Sequence, residues 1–306
     1  MRIVSLIASA TEMVSSLGAG ESLVGRSHEC DWPGSVTSLP ALTRARFDTG
    51  MSSLSIDTAV KDIVKSGLSV YDVDQDLLKT LAPDVIVTQD QCEVCAASLD
   101  DVETALCDWL EHDIRIISLH PNTLSDVLDD IKKVGAAIAR ESEANDLTQT
   151  LSQKFKTLRE SAPANSPRPK VFMLEWIEPP MAAGHWIPAL VEAAGGTNVI
   201  TKDGEPSPYV SIEDIAEADP DLIVVAPCGF GLDRTEQEMA ALASNSYWQN
   251  LRAVKAGKVA LMDGNRYINR PSPAVYESAA MIADILWHDK PKNGPDAWRW
   301  LNQIRR

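Results

Sequence analysis

One short pattern occurs twice in the chain and constrains its fold more than any other feature. Residues 82–87 have the sequence Ala-Pro-Asp-Val-Ile-Val, and residues 219–224 have the sequence Asp-Pro-Asp-Leu-Ile-Val. In both copies a proline and an aspartate precede a continuous apolar run, which is typical of a strand buried on both faces of a parallel sheet. The repeat therefore predicts two lobes that are built on the same plan.

Predicted strands alternate with predicted helices in both halves of the chain. Short apolar runs bounded by polar residues predict the strands, and apolar residues spaced three or four positions apart predict the helices. This alternation is typical of α/β proteins whose sheets are mainly parallel. The predicted strands cover residues 2–6, 22–25, 68–70, 84–88, 170–174, 198–200, 222–225 and 258–262.

A long amphipathic helix is predicted between the two lobes. Apolar residues recur every three or four positions over residues 123–159, with no proline among them. About 36 residues at about 1.5 Å per residue would extend roughly 54 Å, which exceeds the width of a small domain. A proline-rich stretch then ends the pattern. We predict an N-terminal α/β lobe at 1–122, a connecting helix at 123–162, broken at most once, and a C-terminal α/β lobe at 163–306.

Charge and hydropathy argue against two classes of partner. The chain has 28 basic and 44 acidic residues, a formal net charge of −16. Such a charge repels phosphate backbones and anionic lipids, so we expect binding neither to nucleic acid nor to a membrane surface. No apolar run reaches the roughly 18 residues of a membrane span, and the run at the N-terminus is too short for a signal peptide.

The five cysteines are an odd number in a long chain, which argues against a disulfide framework. Together with the N-terminal pattern, they indicate a cytoplasmic protein. A periplasmic or surface location would require export by another route.

Unusual residues are concentrated in the loops that follow the predicted strands. Four of the five cysteines, two of the five histidines and three of the eight tryptophans lie there. Ligands of α/β proteins bind beyond the carboxyl ends of the strands. We therefore expect the loops bearing His28, Cys92, Trp176, His185 and Tyr267 to face one cleft between the lobes. The remaining histidines, His112, His120 and His288, lie at element ends and are assigned no role.

Several of these residues could bind a metal. His28 and Cys30, with Cys92 and Cys95, offer one imidazole and three thiolates, a set that suits tetrahedral zinc if the two loops meet. His185 could instead coordinate a metal carried by a ligand. The alternative is that the cysteines are reduced and buried beneath the cleft, and that His185 is an ordinary loop histidine.

A second group of residues could bind a large, flat ligand. Aromatic side chains supply contact area with little rotamer entropy to lose. The alternative is that they pack between the lobes. The aromatic candidates are Trp32, Trp176, Trp186, Phe230 and Tyr267, and the polar candidates in the same loops are Gln91, Glu175 and Arg266.

The chain is similar to the class III substrate-binding proteins of ABC importers for vitamin B12 and iron chelates, which contain the Fe/B12 periplasmic-binding domain. Residues 2–13, 17–18 and 23–25 resemble the opening of that family. The two proline–aspartate repeats, the long helix and residues 255–259 also match, so the resemblance covers nearly the whole chain. It implies two lobes joined by one rigid helix, a ligand held in the cleft, and no catalysis.

Residues 27–33, 91–96 and 175–196 resemble a subgroup of this family that is described as cobalamin-binding and often lacks a leader. This resemblance implies cobalamin or another corrinoid as the ligand, no required cofactor, and an ABC importer permease as a possible partner.

Two other functions stay open at this point. The first is a chelatase-like or corrinoid-processing enzyme that uses the histidine and cysteine candidates as metal ligands or thiols, although the common hydrolase and nucleotide-binding motifs do not occur in the sequence. The second is a siderophore-binding protein. Because siderophores are normally anionic, this function would need arginines such as Arg26, Arg46, Arg266 and Arg270.

Overall fold

The computed structural model describes residues 1–66, 68–90, 114–163, 166–288, 290–292 and 294–301. The chain divides into two compact units. The first consists of Met1–Met51, Ser55–Pro121 and Ser125–Thr150, and the second of Ser52–Leu54, Asn122–Leu124 and Leu151–Arg306. The predicted connecting segment therefore contributes residues to both units, and the predicted boundaries at 122 and 162 stay a prediction.

The described part of the first unit contains a parallel sheet of four strands in the order β2-β1-β5-β6. These are β1 (Ile3–Ser5), β2 (Leu23–Arg26), β5 (Val85–Gln89) and β6 (Arg115–Leu119); β3 (Thr43–Ala45) and β4 (Tyr71–Val73) form a separate antiparallel pair. The helices lying wholly or mostly in this unit are α1 (Ala8–Ser16), α2 (Ser53–Lys65), α3 (Gln75–Leu81) and α4 (Leu124–Ala137), with 3-10 turns at Gly20–Ser22 and Gly34–Ser38.

The described part of the second unit contains a mixed sheet in the order β12-β11-β10-β7-β8, with β9 also paired to β7. Its central pairings are parallel, and β8 and β12 are antiparallel. The strands are β7 (Lys170–Trp176), β8 (Met181–Ala182), β9 (Thr197–Asn198), β10 (Leu222–Val225), β11 (Val259–Met262) and β12 (Trp298–Trp300). The helices are α5 (Glu141–Ser161), which begins in the first unit, α6 (Ile187–Ala193), α7 (Ile212–Ala218), α8 (Leu232–Ala243), α9 (Ser246–Asn250), α10 (Arg252–Lys255) and α11 (Val275–Trp287), with a π-helical turn at Gly264–Ile268.

The repeated proline–aspartate pattern has the same structural role in both units, which confirms the prediction of two α/β lobes with mainly parallel sheets. The carboxylate of Asp84 accepts the backbone N–H of Arg2 at 2.7 Å, and that of Asp221 accepts the N–H of Lys170 at 2.8 Å. Both aspartates stand directly before a buried strand. Asp84 bonds the residue before β1, and Asp221 bonds the first residue of β7. Each carboxylate thus satisfies one backbone N–H at the beginning of a parallel neighbour.

The predicted long helix is broken once, which is the single break that the prediction allowed, so it is not one continuous helix. It is divided into α4 and α5 by a turn in which Ala139 has φ 56°. The two helices approach closely at Gly135, where an added Cβ would lie 2.5 Å from the Cβ of Ala144 and 3.0 Å from the carbonyl oxygen of Arg140. The start of α5 thus packs closely against the last turn of α4. The spacing of the large apolar residues widens to nine positions between Ile138 and Leu147, and the break lies within this interval. The steps of three and four residues continue on either side of it.

Replacing Ala139 with glycine should stabilise the protein. A left-handed conformation costs an alanine roughly 1 kcal/mol relative to glycine, so Ala139→Gly should raise the free energy of unfolding by about 0.5 to 1 kcal/mol. The matched control is Ala136→Gly, which places glycine at an exposed position inside α4 and should lower that free energy by about the same amount. Urea denaturation of both variants tests the pair, and a destabilising Ala139→Gly would contradict the assigned turn.

Candidate functional site

The loop after β2 holds His28 within a network of hydroxyl groups. The backbone N and Nδ1 of His28 lie 3.1 and 2.7 Å from Thr43 Oγ1, and the Thr43 hydroxyl donates to Ser27 Oγ at 2.9 Å. The ring of Tyr71 is 5.5 Å away. Burial lowers the pKa of His28, against the opposing effect of the Glu29 carboxylate. The network therefore fixes the orientation of a predominantly neutral imidazole.

Cys30 lies in the interior of the first unit, with 1% of its surface exposed. The Thr11 hydroxyl lies 3.0 Å from its Sγ and 2.8 Å from Ser5 Oγ. Among the described residues, no three His, Cys, Asp or Glu side chains are arranged to hold a metal ion. Trp32 is 40% exposed. Gln91, Cys92 and Cys95 lie outside the described residues, so the predicted cluster of thiols stays a prediction.

The ends of β5 and β6 carry two residues to which the sequence analysis assigned no role. Asp90 directly follows β5, His120 directly follows β6, and Asp90 Oδ1 lies 2.7 Å from His120 Nδ1. Both side chains are about half exposed, at 45% and 56%. The signal that could have identified them is their position, since each is the first residue after an apolar strand.

In the second unit, the end of β7 places Trp176 against a second aromatic ring. The ring of Phe230, which follows β10, lies 5.2 Å from that of Trp176 at 48°. The guanidinium of Arg234 lies over Phe230 at 4.4 Å. Trp176 Nε1 is near two carbonyl oxygens, at 3.3 Å from Ser53 and 3.2 Å from Glu178. These contacts orient a half-buried indole at the strand edge, with Phe230 packed behind it in the interior.

Glu175 precedes Trp176, and the pKa of its carboxyl group is raised. Desolvation raises the pKa of Glu175 to about 7, although the Ser207 hydroxyl donates to its carboxylate at 2.8 Å. The Ser207 oxygen in turn accepts the N–H of Gly184 at 3.0 Å. Only glycine fits at residue 184, because an added Cβ would lie 2.8 Å from the backbone N of Ser207. Near neutral pH this carboxyl group therefore exists in both protonation states.

His185 and Trp186 lie close together but differ in exposure. Their rings stack at 6.0 Å, and His185 has φ 53°. Trp186 is only 6% exposed, and its Nε1 donates to the carbonyl of Ile268 at 3.2 Å. Trp186 therefore supports the turn after β11 from the interior of the second unit, and its predicted contact with a ligand stays a prediction.

The turn after β11 brings Arg266 and Tyr267 to the same sheet edge. The backbone N–H groups of Gly264 and Asn265 donate to the Phe230 carbonyl at 3.0 and 3.1 Å, which joins this turn to the loop after β10. Arg266 lies over the ring of Tyr267 at 5.1 Å, and both residues are half-buried. Because β7, β10 and β11 are parallel neighbours, the strand ends of the second unit gather the candidates Glu175, Trp176, Phe230, Arg266 and Tyr267.

Comparison with known proteins identifies the family. The model of the family described as "Periplasmic binding protein" matches residues 3–265. The chain belongs to this family. Proteins of this family bind substrates for ABC importers, and they are not enzymes. The expectation that the chain is no enzyme is thereby confirmed, and the chelatase-like alternative loses its support.

Individual relatives differ in ligand. A "Vitamin B12-binding protein" of Vibrio cholerae is 22% identical over 292 residues, covering 93% of this chain and 88% of that protein. A "Cobalamin-binding protein" of Halobacterium salinarum is 27% identical over 168 residues, covering 54% and 44%. The structure of a periplasmic heme-binding protein from Pseudomonas aeruginosa has a TM-score of 0.72 and 18% identity, covering 98% of this chain and 97% of that one. This structural likeness shows the fold.

None of the helices in the described part of the chain is both long enough and apolar enough to cross a membrane.

The altered acidity of Glu175 predicts a specific dependence of stability on pH. Because the folded-state pKa is raised from 4.5 to about 7, the folded chain binds the proton more tightly than the unfolded chain, and stability falls as pH rises through this range. Glu175→Gln cannot ionise, so its free energy of unfolding should exceed that of the wild type by at most about 3 kcal/mol at pH 8 and by little at pH 4.5.

Chemical denaturation at several pH values measures this difference. Ser207→Ala provides a second arm: it removes a hydrogen bond that lowers the pKa of Glu175, so the fall in stability should move to higher pH. Parallel pH profiles for the wild type and Glu175→Gln would contradict the assigned acidity.

Proposed function

We propose that this substrate-binding protein binds cobalamin, another corrinoid or a related metal chelate at the strand-end loops, for an ABC importer permease. The observation that carries the proposal is the pair of Trp176 and Phe230 at the end of β7. Glu175 precedes Trp176 in the same strand. A corrin ring is broad and apolar on its faces and has neutral amide groups around its rim. An indole face suits the ring, and a carboxyl group that is partly protonated near neutral pH can donate a hydrogen bond to an amide oxygen or accept one from an amide N–H.

Two relatives with cobalamin-related names support the choice of a corrinoid; the similarity of the first covers 93% of this chain and that of the second 54%. Charge supports it as well. A haem carries anionic propionates, whereas a corrin rim carries neutral amides, and the chain has a net charge of −16. Haem is nevertheless the second candidate ligand, because the heme-binding protein of Pseudomonas aeruginosa has the same fold over nearly the whole chain.

The proposed arginine site for an anionic siderophore has less support. The guanidinium of Arg26 donates to the carbonyl oxygens of Ser27, His28 and Thr37, at 2.9, 3.3 and 3.2 Å. Arg46 pairs with Asp72 at 2.7 Å, and Arg270 is buried. These contacts occupy much of the hydrogen-bonding capacity that a siderophore would need.

Titration of the purified chain with aquacobalamin, dicyanocobinamide and hemin, followed by calorimetry and visible absorption, tests the proposed function. We expect at least one corrinoid to bind with micromolar or higher affinity. Binding of hemin alone would assign haem as the ligand instead. Absence of binding by all three compounds at protein concentrations well above micromolar would reject the proposed function.

Truncation of the indole should reduce corrinoid binding. Trp176→Ala should lower the affinity about tenfold to a thousandfold, because it removes one aromatic face worth about 1 to 4 kcal/mol. Trp176→Phe retains a face and should recover part of the loss.

Tyr247→Ala is the matched control for an aromatic truncation. Tyr247 is 63% exposed and lines a surface groove of about 280 Å³ with Asp219 and Pro220, which precede β10 and thus lie at the opposite edge of the sheet. Its loss should leave the affinity unchanged. Equal affinities of Trp176→Ala and Tyr247→Ala would show that the indole does not contact the ligand.

A further inference from the structure

A pocket in the second unit lies apart from the strand-end loops. Its volume is about 320 Å³, and three parts of the unit line it: the last turn of α5, helix α6, and β9 with the loop that follows. β9 pairs with β7 where β7 begins, with Asn198 beside Val171. Trp176 lies at the other end of β7, roughly 16 Å from Val171 along the strand. The pocket is therefore separate from the candidates for corrinoid binding.

Two basic side chains of the pocket are not engaged in ion pairs. The guanidinium of Arg159 lies over the ring of Phe155 at 6.0 Å, and it has neither a hydrogen bond nor an ion pair with any residue that the structure describes. The ammonium group of Lys202 likewise has no partner within the described ranges. Both groups therefore keep their donors available for an incoming anion.

The acidic side chains of the same pocket do not balance its basic ones. The carboxylate of Glu192 is already neutralised, because it lies 2.8 Å from the guanidinium of Arg168. Asp203 is the other acidic residue in the lining. Three basic residues, Arg159, Arg168 and Lys202, thus oppose two acidic ones, in a chain whose net charge is −16. Such a local excess of positive charge attracts a small anion.

The loop after β9 holds Lys202 in a defined place. Asn198 Nδ2 donates to the carbonyl oxygen and to the hydroxyl oxygen of Thr201, both at 2.9 Å. The Thr201 hydroxyl donates to the carbonyl of Ala183 at 2.5 Å. The backbone N–H of Lys202 donates to the Glu205 carboxylate at 2.9 Å. These bonds fix the backbone from which the Lys202 side chain extends, as a binding contact requires.

The same loop adopts a conformation that costs stability. Ile200 has φ 80°, a left-handed value that is unfavourable for a β-branched residue, and it is 38% exposed, so burial provides little compensation. Asn198 Oδ1 is buried and has no hydrogen-bond partner in the described part of the chain. Strained backbone is concentrated in functional segments such as those that hold a ligand. The strain therefore supports a functional role for the pocket.

We propose that this pocket binds a small oxyanion, a carboxylate or a phosphate, through the guanidinium of Arg159 and the ammonium of Lys202. A guanidinium can donate two parallel N–H bonds to two oxygens of one anion, and an ammonium group adds a compact positive charge. Pro188 and Ala189 offer an apolar wall for a short carbon skeleton. Because the chain as a whole is acidic, binding depends on these two cations and weakens as salt is added. The inference is independent of the corrinoid proposal.

Nuclear magnetic resonance titration of the isotope-labelled full chain at low ionic strength tests the inference. The probes are succinate, inorganic phosphate and succinamide, which is the neutral isostere of succinate. The backbone amide resonances of residues 201–203 should shift with at least one of the two anions and reach saturation at millimolar concentrations, but they should not shift with succinamide. The anion with the lower dissociation constant identifies the preferred group as carboxylate or phosphate.

Three variants identify the groups that bind the anion. Arg159→Gln and Lys202→Gln should each raise the dissociation constant at least about fivefold, because each removes a charge-assisted hydrogen bond. Lys255→Gln is the matched control. It removes the same charge from an exposed position on α10, outside the pocket, and should leave the dissociation constant within about twofold of the wild type. The amide spectrum of each variant also verifies that it is folded.

Three results would overturn the inference. Resonances of residues 201–203 that stay unchanged with both anions, or that shift equally with succinamide, would show that the pocket does not recognise an anion. Equal dissociation constants for Arg159→Gln, Lys202→Gln and Lys255→Gln would reduce the effect to an adventitious ion only. Failure of corrinoid binding would reject the proposed function without touching this inference, since succinate and phosphate are titrated against a different part of the second unit.

Discussion

An aspartate that bonds the first N–H of a neighbouring strand determines the register of the central sheet in each unit. Asp84 joins the beginnings of β1 and β5, and Asp221 joins those of β7 and β10. A shift of one residue in a buried strand would move every side chain to the other face, so this register fixes the core. The described strand-end loops of each unit extend from the sheet that this interaction joins.

The sequence was sufficient to predict β1, β2, β5, β7, β10 and β11, because a buried parallel strand is a continuous apolar run. It did not predict β6, which is only partly buried, and the strand predicted at 68–70 lies at Tyr71–Val73 instead, in the antiparallel pair with β3. The sequence allowed one break in the connecting helix but did not place it between α4 and α5, where Gly135 and Ala144 approach each other only in the folded chain. Helical periodicity is a property of one element, whereas a close approach of two elements is a property of the pair. The same limit applies to His120, whose partner Asp90 is adjacent only through strand pairing.

The aromatic candidates show the corresponding limit for the site. Trp176 and Trp186 are equivalent in the sequence, since both follow an apolar strand within one long loop region. In the structure Trp176 stays half-buried at the sheet edge, whereas Trp186 donates to the Ile268 carbonyl and is enclosed. The difference arises from a turn more than eighty residues further along the chain. Composition could therefore indicate an aromatic surface without identifying which rings form it.

Desolvation shifts the pKa values of His28 and Glu175 so that the neutral form of each side chain is favoured. It lowers the pKa of His28 and raises that of Glu175 to about 7, so both side chains move toward their neutral forms near neutral pH. The strand ends thus offer neutral polar groups in a chain whose net charge is −16. Each of these groups, when neutral, can pair with an amide group, which donates and accepts hydrogen bonds without charge.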